Sequence, residues 1–160
     1  MGVLGGCWRY HFAGGGLPQH IKTVAILPFD NETASAELQQ QLYDAMHRTI
    51  EGRLGLRDAS EARADAVIKG TILRYDTDVP IGYSSTGAGG GGIQTVSPTR
   101  RKLELAINVE IVDQSTGKTL WKRDGLIADG EYAEGAEADG RKQAMQRVVE
   151  LMVEGAQSQW

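Results

Sequence analysis

Apolar and polar side chains alternate through one ten-residue stretch, Lys102-Leu103-Glu104-Leu105-Ala106-Ile107-Asn108-Val109-Glu110-Ile111. Side chains of a β-strand point alternately to its two faces, so Leu103 and its odd-numbered neighbours share one face. The stretch therefore predicts a half-buried antiparallel strand, with one face on the core. The polar segment Asp113–Gly117 predicts a hairpin loop, and residues from Lys118 to about Ala128 predict the returning strand.

Two earlier segments have the character of strands. The run Ile21–Leu27 is short, mostly apolar and ended by Pro28, which is typical of a central strand covered on both faces. Residues 64–76 carry apolar side chains on both sides and predict a second long strand. Residues 81–98, which include the glycine run 87–92, are too poor in large side chains to pack and predict a mobile loop.

Helical spacing of apolar residues occurs twice. The first predicted helix runs from Ser35 to about Leu54, with Ser35 as its N-cap. The second runs from about Glu134 to Gln157, with acidic residues at its start. The order strand, helix, three strands and helix predicts an α+β fold in a single domain over residues 21–158. We expect a mixed, mostly antiparallel four-stranded sheet with two helices packed on one face.

Composition excludes several classes of protein. With 160 residues, 41% of them hydrophobic, the chain can bury a core without disulfides or metals. The net charge of -4 leaves no overall basic field, which argues against nucleic acid as a partner. The single cysteine rules out an intramolecular disulfide and a site with several thiolate ligands.

That cysteine lies in Leu4-Gly5-Gly6-Cys7, which is similar to a bacterial lipobox. We therefore expect Cys7 to receive a lipid, residues 1–6 to be the remnant of a signal peptide, and residues 7–20 to form a flexible leader. The alternative is an unmodified thiol in a mobile terminus. No later segment approaches the roughly 18 apolar residues of a membrane-spanning helix, so the expected membrane attachment is the lipid on Cys7.

The candidate motifs for catalysis and cofactor binding lack the surrounding sequence that each of them requires. The glycine run 87–92 spells a dinucleotide-binding fingerprint, but a strand follows it where that motif needs a helix. His11, His20 and His47 are isolated, without the spacing of metal ligands, and are expected at the surface or in packing. Ser84 has no nucleophile-elbow setting. We therefore predict no enzyme and no cofactor other than the covalent lipid.

One basic cluster could bind phosphates. Arg100, Arg101 and Lys102 lie where the glycine-rich segment enters the alternating strand, and Lys118 and Lys122 lie on the strand paired to it. An arginine can donate two parallel hydrogen bonds to a phosphate, which predicts a site for the phosphates of a lipid head group. The alternative interpretation is solvated edge charge that discourages association between sheets.

Several motifs resemble the lipopolysaccharide-assembly lipoprotein family, LptE. An aromatic and Phe pair, a Gly and a Pro-x-x-Ile-Lys-Thr-Val-Ala-Ile strand fill the segment Tyr10–Ile26 in the order that family uses. Further matches are Phe29–Thr33, Ala64–Ala66 with Gly70, and Thr116–Trp121. The chain departs from the family where Cys7-Trp8-Arg9-Tyr10 replaces the usual Cys-Gly-Tyr, and in its glycine-rich loop.

The resemblance implies a periplasm-facing lipoprotein, anchored in the outer membrane, that partners or plugs an LptD-type barrel and assists assembly of lipopolysaccharide. It implies no catalysed reaction. A rival resemblance is to accessory lipoproteins of curli secretion, to Tol-like proteins or to activators of a cell-wall synthase, which share the patterns of Val24–Asn31 and Ala64–Gly70. The leader Tyr10–His20 and the hairpin with Trp121 favour the LptE family.

The lipobox leads to a direct prediction. Replacing Cys7 with Ser removes the only acceptor for the lipid, so we expect Cys7→Ser to be recovered as a soluble periplasmic protein. Cell fractionation with palmitate labelling measures this. Recovery of the unlabelled variant in the membrane fraction would contradict the anchor.

Overall fold

The computed structural model describes residues 17–86 and 95–158, with side chains described for 17–82 and 100–158. Within these residues a six-stranded mixed sheet and two long helices form an α+β fold, which confirms the predicted class. A short 3-10 helix, Glu61–Arg63, is the remaining helical element. The elements in chain order are β1 Thr23–Ile26, β2 Asp30–Asn31, α1 Glu37–Leu54, β3 Arg57–Asp58, β4 Ala66–Thr86, β5 Thr95–Asp113, β6 Thr119–Ala133 and α2 Glu137–Ser158.

The sheet has two more strands than the four predicted. Its order is β3-β1-β4-β5-β6, with β2 also paired to β4. β1 runs parallel to β3 and β4, and β4, β5 and β6 are antiparallel. The two additional strands have two residues each and form by backbone pairing, with Asp30 opposite Thr71 and Arg57 opposite Thr23. A two-residue strand has no side-chain periodicity, so the sequence could not reveal it.

The prediction of a loop over residues 81–98 was wrong at both ends. β4 continues to Thr86 and β5 begins at Thr95, and these two residues are paired. β6 ends at Ala133, opposite Arg100, so the ends of β4 and β5 extend past it as a two-stranded ribbon. Residues 83–86 and 95–99 carry little apolar alternation in the sequence, which explains why the strands were missed there. The glycine run 87–92 lies outside the described residues.

The start of α1 also differs from the prediction. The helix begins at Glu37 and its N-cap is Ala36, so the prediction of Ser35 as N-cap was wrong. Ser35 instead offers its carbonyl oxygen to the backbone N–H of Leu38 at 3.2 Å and to the side-chain amide of Asn31 at 2.9 Å. The helix ends at Leu54, and its C-cap is Gly55, whose φ of 64° is a left-handed conformation that glycine adopts without strain.

One face of the sheet forms the core. The five odd-numbered residues of the alternating stretch are each no more than 1% exposed, which confirms the predicted inner face: Leu103, Leu105, Ile107, Val109 and Ile111. Both helices cover this face with fully buried side chains, among them Leu38, Leu42, Met46, Val148, Val149 and Met152. In the part of the chain that the structure describes, no helix is long and apolar enough to cross a membrane.

A close contact between Phe29 and Gly70 joins the segment after β1 to the middle of β4. Phe29 is 1% exposed, and a Cβ atom added to Gly70 would overlap its ring and the carbonyl oxygen of Asn108. Only a residue without a side chain can therefore lie beneath the Phe29 ring. Two of the motif positions quoted above thus have one packing explanation.

We predict that Gly70→Ala lowers the free energy of unfolding by about 2 kcal/mol, because the added methyl group forces the Phe29 ring and β5 to shift. The control is Gly52→Ala in α1, where an added Cβ meets nothing within 4 Å. That change should raise the free energy of unfolding by up to about 1 kcal/mol. Urea unfolding measures both, and equal stability of Gly70→Ala and the wild type would contradict the contact.

Candidate functional site

The carboxylate of Asp65 holds the start of β1 against the start of β4. Its Oδ2 accepts hydrogen bonds from the backbone N–H groups of Lys22 and Thr23, both at 2.9 Å, and from the Thr23 hydroxyl at 2.8 Å. These donors, the Lys22 N–H first, lower the pKa of Asp65. The backbone N–H of Asp65 donates in return to the Thr23 hydroxyl oxygen at 3.0 Å. The chain is therefore fixed where it joins the sheet.

A second carboxylate, Asp113, holds the same end of the sheet and is only 2% exposed. Its Oδ1 accepts from the Ser115 hydroxyl at 2.6 Å and the Ser115 N–H at 2.8 Å, and its Oδ2 accepts from His20 Nε2 at 2.8 Å. The Ser115 hydroxyl first, and then His20, hold the pKa of Asp113 well below its usual range, against the opposing effect of burial. Leu17 packs against the core nearby in sequence, so the last residues of the predicted leader lie on the domain.

His20, Asp113 and Ser115 are the residue types of a nucleophilic triad, but their arrangement is unsuited to that chemistry. Ser115 and His20 both bond the carboxylate, one on each oxygen, so the imidazole is not placed to take the proton of the serine hydroxyl. Within the described residues, no group of three or more His, Cys, Asp and Glu could hold a metal ion. The arrangement therefore serves to position the chain.

The structure does not bring the five predicted phosphate-binding cations together. Arg100 and Lys102 lie beside the open face of the sheet, whereas Arg101 pairs with Tyr132 on the helix side. Lys122 lies opposite Glu110, eight residues further along β5 than Lys102, or roughly 26 Å away. Lys118 is further still, in the turn before β6. Lipid-phosphate binding at these residues stays a prediction.

Carboxylates already accompany four of those cations. Lys102 Nζ lies 2.8 Å from Glu104 and Lys122 Nζ lies 3.2 Å from Asp124. Arg100 is paired with Glu131, and Arg101 with Asp78. The Lys102 ammonium lowers the pKa of Glu104. A phosphate at these positions would have to replace a carboxylate as the partner, which favours the interpretation of compensated surface charge.

Sequence reasoning missed the link between His20 and Asp113. The Asp-x-Ser-Thr order of residues 113–116 is a turn signal, because an aspartate side chain can bond backbone N–H groups two and three residues later. His20 lies 93 positions away and carries no signal of its partner.

Residues 21–154 match the family model for lipopolysaccharide assembly, LptE. The chain belongs to the LptE family. This match favours the LptE family over the rival lipoproteins, whose resemblance rests on the patterns of Val24–Asn31 and Ala64–Gly70. No curated protein matches this LptE-family chain in sequence.

Solved structures of other bacterial proteins share the LptE-family chain's fold. A PelC dodecamer from Paraburkholderia phytofirmans is 15% identical with a TM-score of 0.54, over 84% of this chain and 91% of that chain. A protein from Xanthomonas campestris is 14% identical with a TM-score of 0.56, over 86% and 84%. A proposed lipoprotein from Caulobacter crescentus is 13% identical with a TM-score of 0.52, over 82% and 89%. At these identities the likeness is one of fold alone.

The low pKa of Asp113 predicts how stability depends on pH. The ionised carboxylate stabilises the folded LptE-family chain above the pKa of an unfolded aspartate, about 3.9, and this contribution is lost as the pH falls towards the lower folded pKa. We expect Asp113→Asn to lower the urea midpoint most at pH 7, and the difference from wild type to shrink below about pH 4. Asp129→Asn, at an exposed position of β6, is the control and should change the midpoint little. A pH-independent effect of Asp113→Asn would contradict the prediction.

Proposed function

We propose that this LptE-family chain is an outer-membrane lipoprotein, anchored through lipid on Cys7, that assists the assembly of lipopolysaccharide as the partner or plug of an LptD-type barrel. The observation that carries the proposal is the family match over residues 21–154. Cys7 itself lies outside the described residues, so its lipid belongs to the proposal. The chain is proposed to bind and position its partners rather than to catalyse a reaction.

The direction of the strands supports this role. Leu17 and His20 enter at the end of the sheet that Asp113 occupies, and the ribbon of β4 and β5 leaves at the opposite end. β4 has 21 residues, which is about 70 Å of extended chain. A domain tethered at one end and bearing a narrow ribbon at the other is suited to reaching from the membrane anchor into the lumen of a barrel.

The base of the ribbon would be the first place where lipopolysaccharide phosphates meet the chain. Arg100, Arg101 and Lys102 lie there, each within reach of a carboxylate. We infer that binding at this point is an exchange of partners, in which a phosphate takes the place of Glu131, Asp78 or Glu104. Such an exchange is weak and depends on salt, because the ion pair with the carboxylate and the ion pair with the phosphate each contribute little free energy at the surface.

The partner can be tested by capture of the full lipidated chain, followed by mass spectrometry. We expect an LptD-type barrel to co-purify. Ile81 is an exposed apolar residue of β4 at the base of the ribbon, and Ile81→Glu should reduce the captured barrel roughly fivefold or more if the ribbon is inserted. Ile127→Glu is the matched control, because Ile127 is also an exposed isoleucine but lies on β6, away from the ribbon.

Repeated capture of a secretion pore or a cell-wall synthase would overturn the proposal and favour the rival families. Equal loss of the barrel from both variants, with both folded by circular dichroism, would contradict insertion of the ribbon while leaving the partnership in place.

A further inference from the structure

The two helices leave a groove between them on the side away from the sheet. They run in the same direction, because Glu37 pairs with Arg141 near both N-termini and Arg53 pairs with Glu150 towards both C-termini. The groove lies between these two ion pairs and has a volume of about 520 Å³. This volume falls in the range of sites for small ligands.

Cations from distant parts of the chain meet in this groove. Arg48 comes from α1, and Arg141 and Lys142 come from α2. Arg48 and Lys142 are exposed, and among the described residues no carboxylate lies within 4.0 Å of either. This distinguishes them from the cations at the base of the ribbon, each of which has a carboxylate partner.

The rest of the lining is suited to a sugar. Gln41 and Gln146 offer side-chain amides, which donate to and accept from hydroxyl groups. Ala45 and Met145, both buried, form an apolar part of the lining against which the C–H face of a sugar ring can pack. Cations for a phosphate, amides for hydroxyls and an apolar surface for a ring are thus present in one groove.

We propose that the groove between α1 and α2 binds a phosphorylated sugar, with Arg48 and Lys142 on the phosphate. Asp44 also lines the groove, and its carboxylate, which accepts a hydrogen bond from the neutral Gln40 amide at 2.9 Å, opposes an anion against the three cations of the lining. Arg141 forms an ion pair with Glu37. The positive charge that a phosphate would meet therefore comes mainly from Arg48 and Lys142. The phosphate could belong to the head group of a glycolipid or to a free sugar phosphate. Only the glycolipid source rests on the proposed function.

The test uses the full chain as Cys7→Ser, titrated by calorimetry with four probes. These are purified lipopolysaccharide, the same lipopolysaccharide after removal of its phosphates, glucose 1-phosphate and glucose. The probes form two pairs, lipopolysaccharide with and without its phosphates, and glucose 1-phosphate with glucose. In at least one pair we expect the phosphorylated probe to bind more tightly than the one without phosphate. Arg48→Gln with Lys142→Gln should weaken that binding roughly tenfold or more, because two charge-assisted hydrogen bonds are lost.

Two further variants make the test specific. Lys22→Gln with Arg57→Gln removes the same number of charges from exposed positions outside the groove and should leave binding in the groove unchanged. Arg48→Lys with Lys142→Arg keeps both charges and should restore most of the affinity. All these variants change exposed side chains. Each is used only if its melting temperature matches that of the parent protein, so that a loss of binding cannot be a loss of fold.

The outcomes separate this inference from the proposed function. Unchanged binding of both lipopolysaccharide and glucose 1-phosphate by the Arg48 and Lys142 double variant would overturn the groove and leave the proposed function intact. Groove-dependent binding of glucose 1-phosphate without binding of lipopolysaccharide would support the groove and count against the glycolipid source. If the phosphorylated probe binds no more tightly than the unphosphorylated one in both pairs, the proposal of a phosphate site in the groove is overturned. Loss of an LptD-type barrel from the double variant, with every probe bound as before, would identify a protein interface there and also overturn the proposal.

Discussion

Burial of one face of β5 is the constraint on which the other elements depend. Leu103, Leu105 and Ile107 are fully buried on that face, and a row of aliphatic side chains cannot face water without a large loss of free energy. Both helices lie over it, and the helix contacts exclude ligands from the sheet's inner face. The surfaces left for partners are therefore the ends of the sheet, its charged outer face and the outer side of the helices.

The two ends of the sheet differ in the forces that organise them. At one end the carboxylates of Asp65 and Asp113 accept hydrogen bonds from His20, Lys22 and Thr23, so the entering chain is held by charge-assisted bonds. At the other end β4 and β5 continue past β6 and are held by backbone pairing. The chain is thus fixed in position over residues 20–23, while the ribbon extends from the opposite end of the sheet.

Pairing of cations with carboxylates in the fold explains why a cluster of basic residues in the sequence is a poor guide to an anion-binding site. Arg100, Arg101 and Lys102 are adjacent in the chain, yet alternation along the strand divides them between two faces and carboxylates accompany each of them. Arg48 and Lys142 are 94 positions apart and are brought to one groove by the packing of two helices. Charge that is uncompensated after folding, rather than charge that is clustered before it, is what an anion would meet.

The sequence by itself determined the α+β class, the inner face of β5, both helices and the family, since each of these follows from local periodicity or from motifs read in order. It placed Gly70 and Phe29 in separate motifs but could not show that one ring lies over one glycine. The two short strands, the ribbon and the link between His20 and Asp113 were decided only by the tertiary structure. The physical reason is that local patterns report how a segment is buried, whereas strand pairing, hydrogen bonds and grooves between helices join residues that carry no record of one another in the chain.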